Sequence, residues 1–394
     1  HPADAHTAAD NPPSADVFTF LSAPLPISPK GPEPVDLLPT DEQAEIASTV
    51  ASALKASFPM SNRDRYDVIG AQATTLSSSD DRSPLIDAST WTGFGDLGWF
   101  SLGLAEAHGG VGYGLAEEVL LAEELGRQVA PGPFVAQIIA ARLAAMAGLA
   151  DAGSLANGTV RAAWGEPSGF TTDTSVAVGH PTTGELLVQH PEGATWVVTI
   201  SGTDAVLLAT SDLTSSGDLA PLDPPTPLRR MRATSVVPGA SDSTGATSRW
   251  ATTLIAAQLA GIAEATCAMS VDYAKERQQF GQPIGSFQAV KHRCADMAAR
   301  AEAAITQTRW AALTVDDSAQ STGSAAFEVE SARVMATRAA VANAEVNIQN
   351  HGGIGFTWEH PAHRFVTRAR LLELSGGSLA DHQAALLAAP VSTS

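Results

Sequence analysis

The strongest constraint on the fold of this chain is a long helical pattern in its C-terminal part. Apolar residues recur at intervals of three or four over about 25 residues, which is the spacing of one helix with a single buried stripe. The stripe consists of Phe287, Val290, Cys294, Met297, Ala301, Ile305, Thr308 and Ala312. Alanine-rich stretches at 249–276 and 326–350 can supply helices that pack closely against it. The sequence therefore predicts a C-terminal helical bundle over residues 246–394.

Residues 1–157 are predicted to form an N-terminal helical domain, whose first 35 residues or so are an extended, proline-rich lead-in. Thr40 and Gln43 have the spacing of a capping box, so a helix should begin there. Further helices fit 115–129 and 135–149.

The middle of the chain, residues 158–245, has a different texture. Short runs rich in β-branched and apolar residues at 186–188, 196–200 and 205–208 are bounded by glycines. This pattern predicts a small, mainly antiparallel β domain. The fold class is therefore α+β, with helices, then strands, then a helical bundle.

The charge argues against a nucleic-acid partner. The chain has 42 acidic and 23 basic residues, a formal net charge of −19, and so lacks a broad basic surface. From Val271 onward, however, 11 basic residues face 12 acidic ones. The C-terminal third is therefore where we expect an anionic ligand.

The sequence predicts a cytoplasmic protein without a membrane span. The stretch 134–150, taken as the longest apolar one, is interrupted by Gln137 and Arg142 and is shorter than the roughly 18 to 20 residues that cross a bilayer. The first residues lack the pattern of a secretory signal and begin without Met, which suggests a processed or trimmed end. Cys267 and Cys294 fit a reducing compartment without a disulfide.

Two segments carry candidate binding chemistry. The first is residues 273–288, where a helix should end near Arg277 and the long helix should begin near Ser286. This arrangement leaves a cation and amides beside the start of a helix. Such a site suits an anionic, planar ligand. In the second, residues 348–359, two glycines follow a helix and permit close backbone approach. Each segment alone has an ordinary explanation, a surface ion pair or a helix stop.

Together, about 70 residues apart, these segments resemble the flavin-dependent acyl-CoA dehydrogenase family, whose C-terminal bundle carries an ERxxFG…Q segment and a later Q…GG.G segment. Residues 98–112 and 123–126 are similar to its N-terminal helical domain. The resemblance implies a helical N-terminal domain, a middle β domain, here reduced, and a C-terminal four-helix bundle.

In this family FAD lies across a dimer interface. The resemblance implies that the present chain holds the adenine-diphosphate half of an FAD bound mainly in the neighbouring subunit. The residues that match the family's contacts are Arg277, Gln279, Phe280, Ile284, Gln288, Gln349, Gly352 and Gly353.

The flavin-ring half of the site departs from the family pattern. The family's T-E-P-x-x-G-S-D segment reads Gly-Glu-Pro-Ser-Gly-Phe-Thr-Thr-Asp at 165–173, where only Glu166 and Pro167 clearly match. The family's aromatic-Ile-Thr strand has at most a remnant here, at residues 196–199. A tryptophan in a strand, as at Trp196, is more often a core residue than a cofactor contact. We therefore expect that this chain holds no flavin ring in its own β domain.

Neither family position for the catalytic glutamate carries a carboxylate here. One is Gly376, and the other lies near 249–251. A positioned general base contributes about 10²–10⁴-fold to the rate. Glu373 or Glu359 could substitute, but an ion pair with Arg370 or Arg364, or plain solvation, is their ordinary interpretation. Histidines at 351, 360, 363 and 382 lack the further ligands that a metal site needs.

These features predict a subunit of a heteromeric, α2β2 acyl-CoA dehydrogenase without its own catalytic base. The partner, of the same fold, would supply the flavin-ring contacts and the catalytic glutamate and would bind most of the acyl-CoA. The family includes such actinobacterial enzymes, which desaturate CoA thioesters of steroid side chains. Two alternatives stay open: a homomeric enzyme with an unorthodox base such as Glu373, and a structural paralogue that does not touch the cofactor.

Overall fold

A computed structural model describes residues 37–60, 84–168, 182–317 and 322–390. The predicted lead-in at 1–35 and residues 169–173 of the flavin segment lie outside this part of the chain. From Pro39 onward the described residues belong to one unit.

Within the described residues, five α-helices precede the sheet. Their bounds are α1 Asp41–Ser57, α2 Ala88–Asp96, α3 Leu115–Arg127, α4 Phe134–Ala147 and α5 Ala152–Ala156. The predicted capping box is confirmed, since the Thr40 hydroxyl accepts from Gln43 N at 3.3 Å and Thr40 N donates to the Gln43 side chain at 3.0 Å. Around Trp91 and Phe134 the helices enclose an aromatic core, in which these two rings lie 4.9 Å apart.

The start of α3 is capped by a side chain that comes about 200 residues later in the sequence. Leu115 N and Ala116 N donate to the carboxylate of Asp316 at 3.0 and 3.2 Å, and so satisfy amides that the helix itself cannot pair. Further along α3, the buried Glu123 accepts from Arg309 at 3.0 and 2.8 Å. The N-terminal helices are therefore tied to the bundle by charged contacts.

The predicted β region forms one seven-stranded sheet in the order β5-β6-β2-β1-β3-β4-β7. The strands are β1 Arg161–Pro167, β2 Gly184–Gln189, β3 Ala194–Ser201, β4 Asp204–Ala209, β5 Leu213–Leu219, β6 Leu228–Ala233 and β7 Ala240–Asp242. All neighbours pair antiparallel except β1 and β3, which are parallel. One face carries a small core that includes Val188 and Val197, and Val198 and Leu207 join the main core, which also contains α4.

The C-terminal part is the predicted helical bundle. Its helices are α6 Ala246–Glu276, α7 Gln288–Asp316, α8 Thr322–His351, α9 Ala362–Glu373 and α10 Leu379–Ala388. The stripe predicted on α7 is buried at Met297, Ala301, Ile305, Thr308 and Ala312, as expected. Its first members, Phe287, Val290 and Cys294, are only half-buried, so the stripe leaves the core near the start of the helix.

Helix α6 is more apolar than its sequence pattern suggested. By length and composition it could cross a membrane, and it alone among the described helices could do so. In the fold, 72% of an apolar 18-residue stretch of this helix is buried, as in the core helix of a bundle. The prediction of 134–150 as the longest apolar stretch is thus wrong.

The crossing of α3 and α6 depends on two glycines. A Cβ atom added to Gly261 would lie 2.1 Å from Glu123 O, and one added to Gly126 would lie 1.9 Å from Gln258 O. Both distances are far below van der Waals contact, so no side chain other than hydrogen fits between the two backbones.

Candidate functional site

The first predicted segment is a turn between two bundle helices. Helix α6 ends at Glu276, with Arg277 N donating to Tyr273 O at 2.9 Å. A short hairpin comes next, in which β8 (Gln278–Gln279) pairs with β9 (Gln282–Pro283). Phe280 and Gly281 form its tip with φ values of 52° and 80°, and α7 begins at Gln288, two residues later than expected.

Most side chains of this turn point outward. Phe280 is 92% exposed, and Arg277, Gln279 and Gln288 are exposed as well, while Ile284 is half-buried. The guanidinium of Arg277 has no ion-pair or hydrogen-bond partner in the described part of the chain. The turn therefore presents a cation, amides and an aromatic ring to whatever approaches this end of the bundle.

The second predicted segment continues directly from α8. Residues Gly352–Phe356 form a single 3₁₀ turn, and Gly352 has a φ of 62°. A Cβ atom on Gly352 or Gly353 would meet nothing within 4 Å, so the outer side of this backbone is open. Gln349 is exposed one turn earlier.

A column of stacked rings brings the two segments together. Tyr273, one turn before Arg277, stacks on His351, directly before Gly352, with ring centroids 4.4 Å apart. His360 packs against His351 at 4.2 Å. Below them Ser270 donates to Asn347 at 2.8 Å. The sequence analysis considered these histidines only as metal ligands and did not predict the ring contacts, although an aromatic residue and a histidine near the two helix ends were visible signals.

Another cluster lies where the sheet meets the bundle. The buried carboxylate of Glu166 accepts hydrogen bonds from Gly376 N at 2.7 Å, Gly377 N at 3.2 Å and the indole of Trp164 at 3.1 Å. Arg333, also buried, donates to Leu372 O at 2.6 Å and Ser375 O at 2.9 Å. Burial raises the pKa of Glu166 to about 7 and lowers the pKa of Arg333 to about 10.

The raised pKa of Glu166 predicts a pH dependence of stability. Because the folded state binds this proton more tightly than the unfolded chain, the contribution of Glu166 is full below about pH 4.5 and is lost as the pH rises through 7, a change of about 3 kcal/mol. We expect Glu166→Gln, which does not titrate, to lack this decline. Urea unfolding of both proteins at several pH values from 5 to 8 measures it, and parallel profiles would contradict it.

A second buried carboxylate lies close to Trp250. The Trp250 indole N–H donates to Glu118, which also accepts from Gly103 N at 2.8 Å. The guanidinium of Arg142 lies 3.5 Å from the centre of the Trp250 ring system. Burial raises the pKa of Glu118. Sequence reasoning overlooked this carboxylate, because it comes from α3, 132 residues away along the chain.

The N-terminal helices, the sheet and the bundle enclose a cavity of about 50 Å³. Pro133, Trp164, Gln189, Ile255 and Ser375 contribute to its wall. Sites for small-molecule ligands usually measure about 300–1,000 Å³. Among the described residues, this cavity is therefore smaller than a usual ligand site.

Comparison with known proteins identifies the family. Residues 68–156 match the acyl-CoA dehydrogenase N-terminal domain and residues 247–389 match the acyl-CoA dehydrogenase C-terminal domain. The acyl-CoA dehydrogenase IpdE2 of Mycobacterium tuberculosis is 32% identical over 84% of this chain and 92% of its own length. The chain belongs to the acyl-CoA dehydrogenase family.

Other relatives of this acyl-CoA dehydrogenase chain differ in length or only share its fold. FadE34 of Mycobacterium tuberculosis is 34% identical over 72% of the chain, which spans only 40% of FadE34. Butyryl-CoA dehydrogenase from Megasphaera elsdenii superimposes with a TM-score of 0.71 at 20% identity, over 90% of this chain and 99% of its own. The ChsE4–ChsE5 complex from Mycobacterium tuberculosis gives 0.72 at 21% identity, over 91% and 100%.

The described residues fit one half of the family's FAD better than the other. At the end of the bundle, an unpaired guanidinium, exposed amides and an open glycine backbone are suited to a diphosphate and its adenosine. At the sheet, the Thr199 hydroxyl is buried without a hydrogen-bond partner among the described residues. Among the described residues, the groups that suit this cofactor therefore lie mainly at the end of the bundle.

The two positions predicted for the family's catalytic base are Gly376 and the stretch 249–251, which reads Arg-Trp-Ala. Gly376 has a φ of 75°, and a Cβ atom there would lie 3.4 Å from Ile255 Cδ1 and 3.6 Å from Trp164 Cζ2. Glu166 supplies a carboxylate beside it, but three hydrogen-bond donors already engage its two oxygens. Glu166 thus acts as a clamp between sheet and bundle.

The two candidate substitute bases differ in their surroundings, since Glu373 is half-buried and Glu359 is exposed. Glu373 pairs with Arg370 at 3.0 Å, which confirms the ion-pair interpretation. His382 bonds Glu330 at 2.7 Å. Within the described residues no group of three or more His, Cys, Asp or Glu could hold a metal ion.

Proposed function

We propose that this chain is a subunit of a heteromeric, FAD-dependent acyl-CoA dehydrogenase that holds only the adenine-diphosphate end of the cofactor. A partner subunit of the same fold would supply the flavin-ring contacts and the catalytic glutamate. The contrast between two groups of described residues carries the proposal. Arg277 is unpaired and the glycine loop is open, whereas the Gly376 backbone packs close to Ile255 and Trp164.

The roles of the individual residues follow from their chemistry. Arg277 would pair with the phosphates, and the backbone at Gly352 and Gly353 would approach them closely because no side chain intervenes. Phe280 offers a ring for the adenine, Ile284 an apolar contact, and Gln279, Gln288 and Gln349 offer amides. When bound, FAD would accept the hydride removed during α,β-desaturation of a CoA thioester.

Two structural neighbours support the heteromer. One is the ChsE4–ChsE5 complex, and another is a variant described as the steroid ACAD Tcur3481–Tcur3483, with a TM-score of 0.71 at 21% identity, over 88% of this chain and 97% of its own. We accordingly propose an α2β2 assembly in the cytoplasm, with the acyl-CoA, of the steroid side-chain type, bound mainly in the partner.

Flavin content tests this function. The chain purified alone should be colourless, and co-expression with a suitable acyl-CoA dehydrogenase subunit should give a yellow complex. Arg277→Ala should weaken FAD binding to that complex about 10- to 100-fold, because a hydrogen bond to a charged group contributes about 1.5–3 kcal/mol. Arg338→Ala, which removes an exposed arginine elsewhere on the bundle, should leave the flavin content unchanged.

Each alternative predicts a different result. Full FAD occupancy and acyl-CoA oxidation by the isolated chain would show a homomeric enzyme. An Arg277→Ala complex with undiminished FAD would show a structural paralogue. Either result would overturn the proposal.

A further inference from the structure

A cleft of about 440 Å³ opens between the end of α6 and the start of α7. Val271, Ala274 and Val290 give it an apolar lining, and Lys275, Lys291 and Cys294 also border it. None of the eight residues predicted to contact FAD lines this cleft. It is therefore a feature separate from the proposed half-site, although the same helix junction builds both.

The shape of the cleft has a definite structural cause. A Cβ atom on Gly285 would lie 2.9 Å from Ala274 O, so the glycine lets the junction lie directly on α6. In the first turns of α7 the apolar stripe lies outside the bundle core. Val290 and Cys294 are therefore half-buried at the cleft. The cleft thus exposes apolar surface that a simple bundle would cover.

Lysines are concentrated at this site. The chain has only four lysines and a net charge of −19, yet two of the four line the cleft. Lys275 makes one exposed ion pair, with Asp272 at 3.6 Å, a kind of pair that contributes little energy. Lys291 has no partner among the described residues. Both ammonium groups can therefore serve an anion.

We propose that this cleft binds an amphiphilic carboxylate. The apolar body of the ligand would lie against Val271, Ala274 and Val290, and its carboxylate would lie between Lys275 and Lys291. The volume is in the usual range of ligand sites, about 300–1,000 Å³, and a mainly apolar wall with a few charged groups is their usual composition.

Protection of Cys294 from alkylation tests the proposal with sodium decanoate as the probe. Cys294 borders the cleft, and burial raises the pKa of its thiol, so iodoacetamide is applied at mildly alkaline pH. Decanoate should slow the reaction saturably, as followed by mass spectrometry of the peptides that carry Cys267 and Cys294 after digestion. The buried Cys267 on the same molecule serves as an internal reference.

Variants separate the two contributions. The double substitution Lys275→Met and Lys291→Met should raise the decanoate concentration for half-protection at least about tenfold, since charged hydrogen bonds are lost. Lys55→Met, an exposed lysine on α1, should leave it unchanged. Val290→Trp, which fills the apolar part, should abolish protection while circular dichroism shows a folded protein.

Three outcomes would overturn the proposal. Decanoate could fail to protect Cys294 saturably, or decanol could protect as well as decanoate, which would remove the role of the lysines. ADP could protect equally well, which would make the cleft part of the dinucleotide site. These results do not depend on the heteromer, because the chain is assayed alone.

Discussion

Replacing Glu166 by alanine should destabilise the fold by about 3–5 kcal/mol. The substitution leaves Gly376 N, Gly377 N and the Trp164 indole without their shared acceptor. It also removes one of the three carboxylates, with Glu330 and Glu373, that stabilise the charge of the fully buried Arg333. Buried donors that lose their partner carry the full penalty of desolvation. Urea unfolding at neutral pH, followed by tryptophan fluorescence, measures the loss.

Two control variants sharpen this expectation. Glu166→Gln keeps one acceptor oxygen and should be less harmful than alanine. Glu345→Ala removes a glutamate of similar length whose ion pair with Arg370 is exposed, and it should change stability by less than about 1 kcal/mol. If Glu166→Ala and Glu345→Ala were equally stable, the clamp between sheet and bundle would be refuted.

Gly261→Val should prevent stable folding. Any Cβ atom at this position would lie 2.1 Å from Glu123 O, and a branched side chain adds two further carbons to the same space. Overpacking a core usually costs about 1–3 kcal/mol and more where rigid backbone is the obstacle, so most of the stability of a typical domain is at risk. We expect loss of soluble protein and of the cooperative thermal transition.

The matched control is another helical glycine. Gly153 lies in α5 with nothing within 4 Å of an added Cβ atom, so Gly153→Ala should be neutral or stabilise by up to about 1 kcal/mol. A folded Gly261→Val protein of normal stability would mean that α3 and α6 can separate without loss, contrary to the described crossing.

Local patterns predicted the elements well. Spacing between residues close in sequence predicted the capping box at Thr40, the mainly antiparallel sheet and the buried half of the α7 stripe. Such patterns are visible in the sequence because they depend only on near neighbours along the chain. The first turns of α7 differ because tertiary packing, not periodicity, decides which end of a stripe is covered.

Contacts across the chain were not predictable in the same way. Glu166 meets Gly376 at a separation of 210 residues, and only its match to a family segment marked it in the sequence. The family resemblance named two segments for one site, and the stack of Tyr273 on His351 explains how the fold joins them. The assignment of the eight FAD residues stays a prediction, to be tested by flavin content.

The cap that Asp316 places on α3 has a consequence for biosynthesis. The first amides of α3 emerge from the ribosome some 200 residues before the carboxylate that pairs with them. Until then water must hydrate that helix end. Glu123, which is buried in the finished fold, likewise lacks its partner until Arg309 has been synthesised. The N-terminal helices should therefore stay loosely organised on the nascent chain and mature only when translation has passed the end of α7.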